Sequence, residues 1–428
     1  MKILLLTDMP PCKGFTAGLV TSQLVRFLPK GSIACYAVIN SSLDAKLDPE
    51  FEGMPIRYAV KPRETGLRLL PGKLGLISSF AYELYTHFIK IPKLLNDIEV
   101  FAKEFGADRI WCVLEGQTMF RLAVGIKKRL NLPLHTQVWD PPGWWLRANS
   151  VDAFSRKFIM STFDKAIQMS KTCAAASWAM AEDYKERYSC HAIPVIPSLD
   201  PSMALAPAKR SHNRETFMIG MAGQLYSHTE WVTLLSTLDQ VNWVIKDKKI
   251  IIRLLGRSIY APSNGPANIE FLGWRDQTSA IQLLSEADIL YCPYWFDPNF
   301  HEEARYSFPS KLTTYLAVGR PVLFHGPKYA SPYRFLDAYD AGIFCDSLSS
   351  VSIYNCIEKL IRDQELYSQL AANGHKAFLR FLTTDVMHQQ FKRFIGDDNL
   401  QDVINTLDKK DNSIERDPIA IESKVCSS

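Results

Sequence analysis

Short apolar runs, each followed by a helical pattern, recur along this chain. They constrain its fold more than any other feature. In the first half the runs are Ile3–Leu6, Ala34–Ile39, Arg109–Leu114, Leu134–Trp139 and Thr172–Ala175, with helical patterns at Gly18–Leu28, Ile98–Phe105 and Phe120–Leu130 between them. In the second half the runs are Phe217–Met221, Ile250–Leu255, Ile269–Leu272, Asp288–Cys292, Val322–Phe324 and Ile343–Cys345. Helical patterns cover Glu230–Leu238, Ser279–Ser285, Pro309–Ala317 and Val351–Arg362. A strand with no polar alternation is buried on both faces, which requires a parallel sheet with helices above and below. The prolines of Ile196–Ala208 separate the two rounds. The expected architecture is α/β, with two tandem Rossmann-like, doubly wound domains facing a cleft. The expected boundaries are 1–200, 201–378, a helix at 379–395 that crosses back to the first domain, and a polar tail at 396–428.

The 428 residues suffice for two domains. A net charge of +4 does not call for nucleic acid as a partner. No apolar run approaches the roughly 18–20 residues of a spanning helix. Asp8 closes the apolar start too early for a signal peptide, so Ile3–Leu6 reads as a first strand. Nine dispersed cysteines, with no Cys-x-x-Cys pair, predict reduced thiols, a cytoplasmic protein and no bound metal. No GxGxxG follows either first strand, which weighs against a nicotinamide cofactor.

The stretch FPSKLTTYLAVGRPVL, Phe308–Leu323, is the best candidate for a ligand site. Ser307 is placed to cap the helix, Pro309 suits its first turn, and Gly319 with Pro321 stops it. Free N–H groups at such a start attract phosphate, and Lys311 adds a cation beside them. Ser310 shares that first turn. The segment His301–Tyr306 reads as a polar loop carrying Glu302, Glu303 and Arg305. Gly223 ends a strand before Gln224 and lets backbone approach a phosphate. Arg257 follows the turn at Gly256, and Trp274 follows Gly273. In the first half, Asp140 ends a strand and leads into Pro141-Pro142-Gly143-Trp144-Trp145, a carboxylate beside aromatic faces that suits sugar. A hairpin-like turn with buried tryptophans is the alternative there. Gly18 closes a small-residue loop after the first strand. Each of these residues also has an ordinary structural reading, as a turn glycine, a solvated cation or a loop carboxylate.

Three segments together, IGMAGQLYSHTEW, IEFLGWRDQTSAIQLLSEADILYCPYW and FPSKLTTYLAVGRPVL, resemble the GT-B glycosyltransferases, in particular the large retaining family. The resemblance spans about residues 1–395. It implies a nucleoside-diphosphate sugar as donor, no cofactor, a carbohydrate or glycolipid acceptor, and transfer to a hydroxyl with retention and without metal. It places the donor on the second half, around Gly223, Gln224, Gly273, Trp274, Phe308, Lys311 and Thr314. The family's Glu-x7-Glu positions hold Tyr306 and Thr314 here, its Arg and Lys positions hold Gln224 and Thr229, and its first-half histidine is replaced by Trp139-Asp140. Asp140 and Glu303 are the catalytic candidates. A nucleotide-sugar epimerase of the same fold and a non-catalytic sugar-binding relative remain the alternatives. The aromatic and basic stretch Leu67–Lys93 reads either as a helix packed on its own domain or as a peripheral contact with the inner face of a membrane.

Overall fold

The computed structural model describes residues 1–64, 74–149, 151, 153–208, 215–256, 261–262 and 268–396. The polar tail, 396–428, therefore lies outside the described residues beyond Gly396. The chain divides into two compact units. One comprises Met1–Val195 and the segment that begins at His388, and the other is Ile196–Met387.

Among the described residues the first unit holds seven strands: β1 (Ile3–Thr7), β2 (Ile33–Ile39), β3 (Ile56–Val60), β4 (Arg109–Val113), β5 (Leu134–Val138), β6 (Thr172–Ala175) and β7 (His191–Pro194). They form one parallel sheet in the order β3-β2-β1-β4-β5-β6-β7. Leu5 pairs with Cys35 on one side and Trp111 on the other. Ile3 to Leu6 are all 0% exposed, as the unbroken apolar run requires. The edge strand β3 is only partly buried, which is why its mixed sequence IRYAV carries a weak strand signal.

The second unit holds β8 (Thr216–Ala222), β9 (Val244–Ile245), β10 (Lys248–Leu255), β11 (Ile269–Gly273), β12 (Ile289–Pro293), β13 (Val322–His325) and β14 (Gly342–Cys345). Six run parallel in the order β11-β10-β8-β12-β13-β14, and β9 pairs antiparallel with β10. The core under β8, β10 and β12 is aliphatic and aromatic, with Trp231 and Trp243 fully enclosed. The proline-bearing stretch after Val195 packs on this unit: Leu205 donates to Ala317 O (2.8 Å), and Leu199 bridges Thr383.

The last described helix, Thr384–Ile395, packs on the first unit from His388 onward. Phe391 lies edge-on to Trp111 with ring centroids 5.0 Å apart, Thr172 donates its hydroxyl to Phe394 O (2.6 Å), and Arg109 donates to Ile395 O (2.9 Å) and Gly396 O (2.8 Å). No helix among the described residues is long and apolar enough to cross a membrane.

Candidate functional site

Each sheet reverses its winding at one strand. In the second unit β8 lies between β10 and β12, and in the first β1 lies between β2 and β4. Open α/β sheets bind ligands beyond the carboxyl ends of the strands at such a reversal. Each unit therefore has a predictable place to examine.

In the second unit three adjacent strands end in glycines with positive φ: Gly223 after β8 (82°), Gly256 after β10 (129°) and Gly273 at the end of β11 (70°). Their backbones are linked. Gly223 donates to Leu255 O and Gly256 donates to Gly273 O, both at 2.9 Å. A Cβ on Gly256 would stand 2.9 Å from Gly223 O, so the approach of these two turns requires glycine. The result is a strand-end rim with no side chains at the turns.

Lys311 closes this rim. It lies in the first turn of the helix Ser310–Val318, donates to Gln224 O (2.7 Å), and sits 5.1 Å from the centre of the Tyr226 ring. Burial pushes its ammonium below the usual lysine range, with nearby Cys292 acting weakly in the other direction. Tyr315 fixes the helix to the sheet, accepting from Ala222 N–H (2.8 Å). No side chain caps this helix start, whose N-cap is Pro309. The helix His228–Gln240, which begins just after the Gly223 turn, also lacks a side-chain cap. Its N-cap Ser227 is 1% exposed, and the hydroxyl has no hydrogen-bond partner. Two helix starts without side-chain caps, one cation and a glycine rim make this end of the sheet a candidate site for an anion.

Around it, Trp295 donates to Tyr226 O (3.2 Å), Tyr294 donates to Ser307 O (3.0 Å), and Trp274 is 77% exposed. Thr314 is already engaged, accepting from Gln277 Nε2 at 3.0 Å. Ser310 is exposed on the first turn. Phe308 is buried edge-on to Phe335 with centroids 5.4 Å apart, which makes it a packing residue.

Several expectations need correction. His301–Tyr306 is a helix, and Glu303 is buried on it rather than carried on a loop. Arg305 is exposed and lies over the adjacent Tyr306 ring at 5.2 Å. Ser307 does not cap the following helix; it ends the preceding one, two residues short of the N-cap, with its buried hydroxyl unbonded. Pro141–Trp145 forms no hairpin, because Pro142–Ala148 is helical, with Trp144 and Trp145 half-buried. Gly18 is not in a loop but buried in the helix Thr16–Val25, where a Cβ would meet Cys12 Sγ at 2.4 Å, so Cys12 fills the space beside it. Arg257 lies outside the described residues.

The first unit places a charged cluster at its own reversal. Asp8 follows β1, Lys61 follows β3 and Glu115 closely follows β4. Lys61 Nζ lies 3.2 Å from Asp8 Oδ2 and 3.1 Å from Glu64 Oε2, and donates to Glu115 O at 3.0 Å. Glu64 accepts from Thr118 N–H (2.6 Å) at the start of the helix Gly116–Leu130. Its carboxylate passes so close to Gly116 that a Cβ there would lie 2.3 Å from Oε2. Burial, reinforced by Asp8 and Asp140, pushes the Glu115 carboxyl up to about 8. Burial also raises Asp8, against the pull of Lys61. Lys61 keeps its proton despite burial because Glu64 and Asp8 hold it. Of the catalytic candidates, Asp140 belongs with this group: it is exposed just beyond β5, and its charge is felt at Glu115.

Sequence reasoning missed Asp8, Lys61, Glu64 and Glu115. The available signal was positional: three of them fall within two residues of a strand's carboxyl end. Among the described residues no three His, Cys, Asp or Glu side chains converge as a metal site.

No family model matches the sequence, and no curated protein does. Solved structures match over almost the whole chain. A sucrose-phosphate synthase from Thermosynechococcus elongatus aligns with a TM-score of 0.62 at 12% identity, covering 95% of this chain and 100% of its own. Anabaena HepE in complex with UDP-glucose aligns at 0.59 and 14%, covering 93% and 100%. The apo form of the lipopolysaccharide outer core galactosyltransferase WaaB aligns at 0.57 and 12%, also covering 93% and 100%. The shared architecture is the two-domain Rossmann-like GT-B fold.

Proposed function

We propose that this GT-B chain is a glycosyltransferase that moves a sugar from a nucleoside-diphosphate sugar to an acceptor hydroxyl. The observation that carries the reading is the anion site of the second unit: two uncapped helix starts, the Gly223–Gly256–Gly273 rim and Lys311. A leaving diphosphate develops negative charge as the glycosidic bond breaks. Fixed N–H groups and one cation stabilise that charge without reorganising. The resemblance adds retention of configuration, with the leaving phosphate accepting the acceptor's proton and no bound metal. HepE's complex with UDP-glucose favours uridine as the donor base.

Acceptor binding falls to the first unit. Asp8, Glu64 and Glu115 come from separate segments that meet at Lys61, which pairs with the Asp8 and Glu64 carboxylates and donates to the backbone carbonyl of Glu115. Such oxygens accept hydrogen bonds from hydroxyls, as a polyol acceptor requires. Glu303 is assigned to the sugar end of the donor rather than to the phosphates, since it lies on the helix before Ser307.

The test is calorimetric titration with UDP, GDP, ADP, TDP and CDP, followed by incubation of the best donor sugar with an acceptor panel and detection of product by mass spectrometry. Binding of one diphosphate and acceptor-dependent release of it support transfer. Product formed without acceptor assigns epimerisation instead. Failure to bind any diphosphate removes the proposed function.

A further inference from the structure

One helical run presents its apolar residues outward. The chain is helical from Leu74 to Phe105, with a wider π turn at Thr86–Lys90. Beyond the π turn the pattern is that of a surface helix, with Ile91, Leu95, Ile98 and Phe101 buried. Before and within it the large apolar residues are exposed. Ile77, Phe80 and Phe88 are each 61–64% exposed, Ile89 is 56%, Tyr85 49% and Leu84 43%. Ile77, Phe80, Leu84 and Phe88 follow at intervals of three, four and four, which sets them along one face. At about half exposure six such side chains offer on the order of 600 Å², above the few hundred Å² a monomer usually leaves apolar.

The charges around this face have one dominant sign. Glu83 is the single acid between Leu74 and Lys93, and Arg121 engages it at 2.6 Å. Glu64, just before, is buried against Lys61. The cations are differently placed. Lys93 and Arg63 are exposed. Lys90 lies over the Tyr82 and Tyr85 rings at 4.9 and 5.4 Å and donates to Tyr82 OH at 3.0 Å.

We propose that this face docks on a lipid bilayer carrying anionic headgroups. Ile77, Phe80, Leu84 and Phe88 enter the boundary between headgroups and acyl chains, Tyr82 and Tyr85 sit at headgroup depth, and Arg63, Lys90 and Lys93 meet the lipid phosphates. A second copy of the chain is the poorer occupant. A two-fold contact would set this cationic border against itself. Nothing in this surface depends on sugar transfer, so the two readings fail separately.

The experiment is sedimentation of the full chain with vesicles of phosphatidylcholine alone and with phosphatidylcholine mixed with phosphatidylglycerol. The expected result is at least a tenfold greater partition onto the anionic vesicles, falling as salt rises. Phe80→Asp with Phe88→Asp should lower that partition at least tenfold while circular dichroism and the melting temperature stay unchanged, since both rings are exposed. If the double variant is poorly folded, Phe88→Ser alone takes its place, with a smaller loss expected. Lys93→Glu should weaken binding to anionic vesicles and leave phosphatidylcholine unaffected. Equal partition of the wild type and a folded variant overturns the proposal. So does a wild type that leaves the vesicles free but runs as a dimer by light scattering, with the variant monomeric.

Discussion

Glu115→Gln should remove a pH dependence built into the first unit. An ordinary glutamate ionises near 4.5, whereas burial, Asp8 and Asp140 lift Glu115 to about 8. Between these values the folded chain keeps a proton that the unfolded chain has released. Stability therefore falls as pH rises across this window, the reverse of a salt-bridged carboxylate. At about 1.4 kcal/mol per pH unit, going from about pH 5.5 to about pH 8.5 costs the wild type ~3 kcal/mol from this one group. For a unit of this size that is a fall in melting temperature of roughly 6–12 °C. A glutamine has no proton to lose and keeps the size of the neutral acid. The variant should accordingly melt a few degrees above the wild type near pH 5.5, and the gap should widen by several degrees more near pH 8.5. The assay is a pair of thermal melts at each pH, followed through amides of β1 and β4 by hydrogen exchange, so that the second unit does not obscure the signal. Parallel pH profiles for the two proteins would refute the reasoning: Glu115 would then be ionised in the fold, stabilised by Lys61.

The donor end makes separate predictions. Lys311→Ala should weaken diphosphate binding by about 1–3 kcal/mol, roughly 5- to 150-fold, with the melting temperature little changed; unchanged affinity would remove Lys311 from the site. Glu303→Gln should leave the affinity for the bare diphosphate nearly intact and reduce that for the matched nucleotide sugar, which paired titrations would resolve. Gly256→Ala forces a methyl to within 2.9 Å of Gly223 O at a φ of 129°. It should destabilise the second unit by about 2 kcal/mol or more, read as a lower denaturation midpoint, and a neutral result would show that the two turns can separate.

The sheets were legible because their central strands are buried on both faces: Ile3–Leu6 and Ile289–Cys292 are wholly enclosed and read as unbroken apolar runs. The edges were not. β3 and β7 are half-exposed, so IRYAV and HAIP carry mixed residues that no pattern distinguishes from loop. Lys311 was legible because the helix start, the cation and the stop at Gly319 all lie within ten residues. The Asp8, Lys61 and Glu115 cluster was not. Its members are separated by more than fifty residues, and only the parallel order of β3, β2, β1 and β4 brings them together. Glu303 was misread because a six-residue helix with two acids in its first turn looks, as sequence, like a polar loop.

The helix Thr384–Ile395 sets an order of events at the ribosome. Phe391 and Phe394 cover Trp111 in the first unit, yet about 190 residues of the other unit are made between Val195 and His388. At roughly 5–20 residues per second the nascent first unit waits on the order of 10–40 s with that face of its sheet uncovered. The described part of the second unit, Ile196–Met387, is continuous in sequence and can close as soon as it emerges. Synthesis thus begins on the first unit and finishes it last, and a nascent chain halted before Phe391 would leave the tryptophan face open to chaperones.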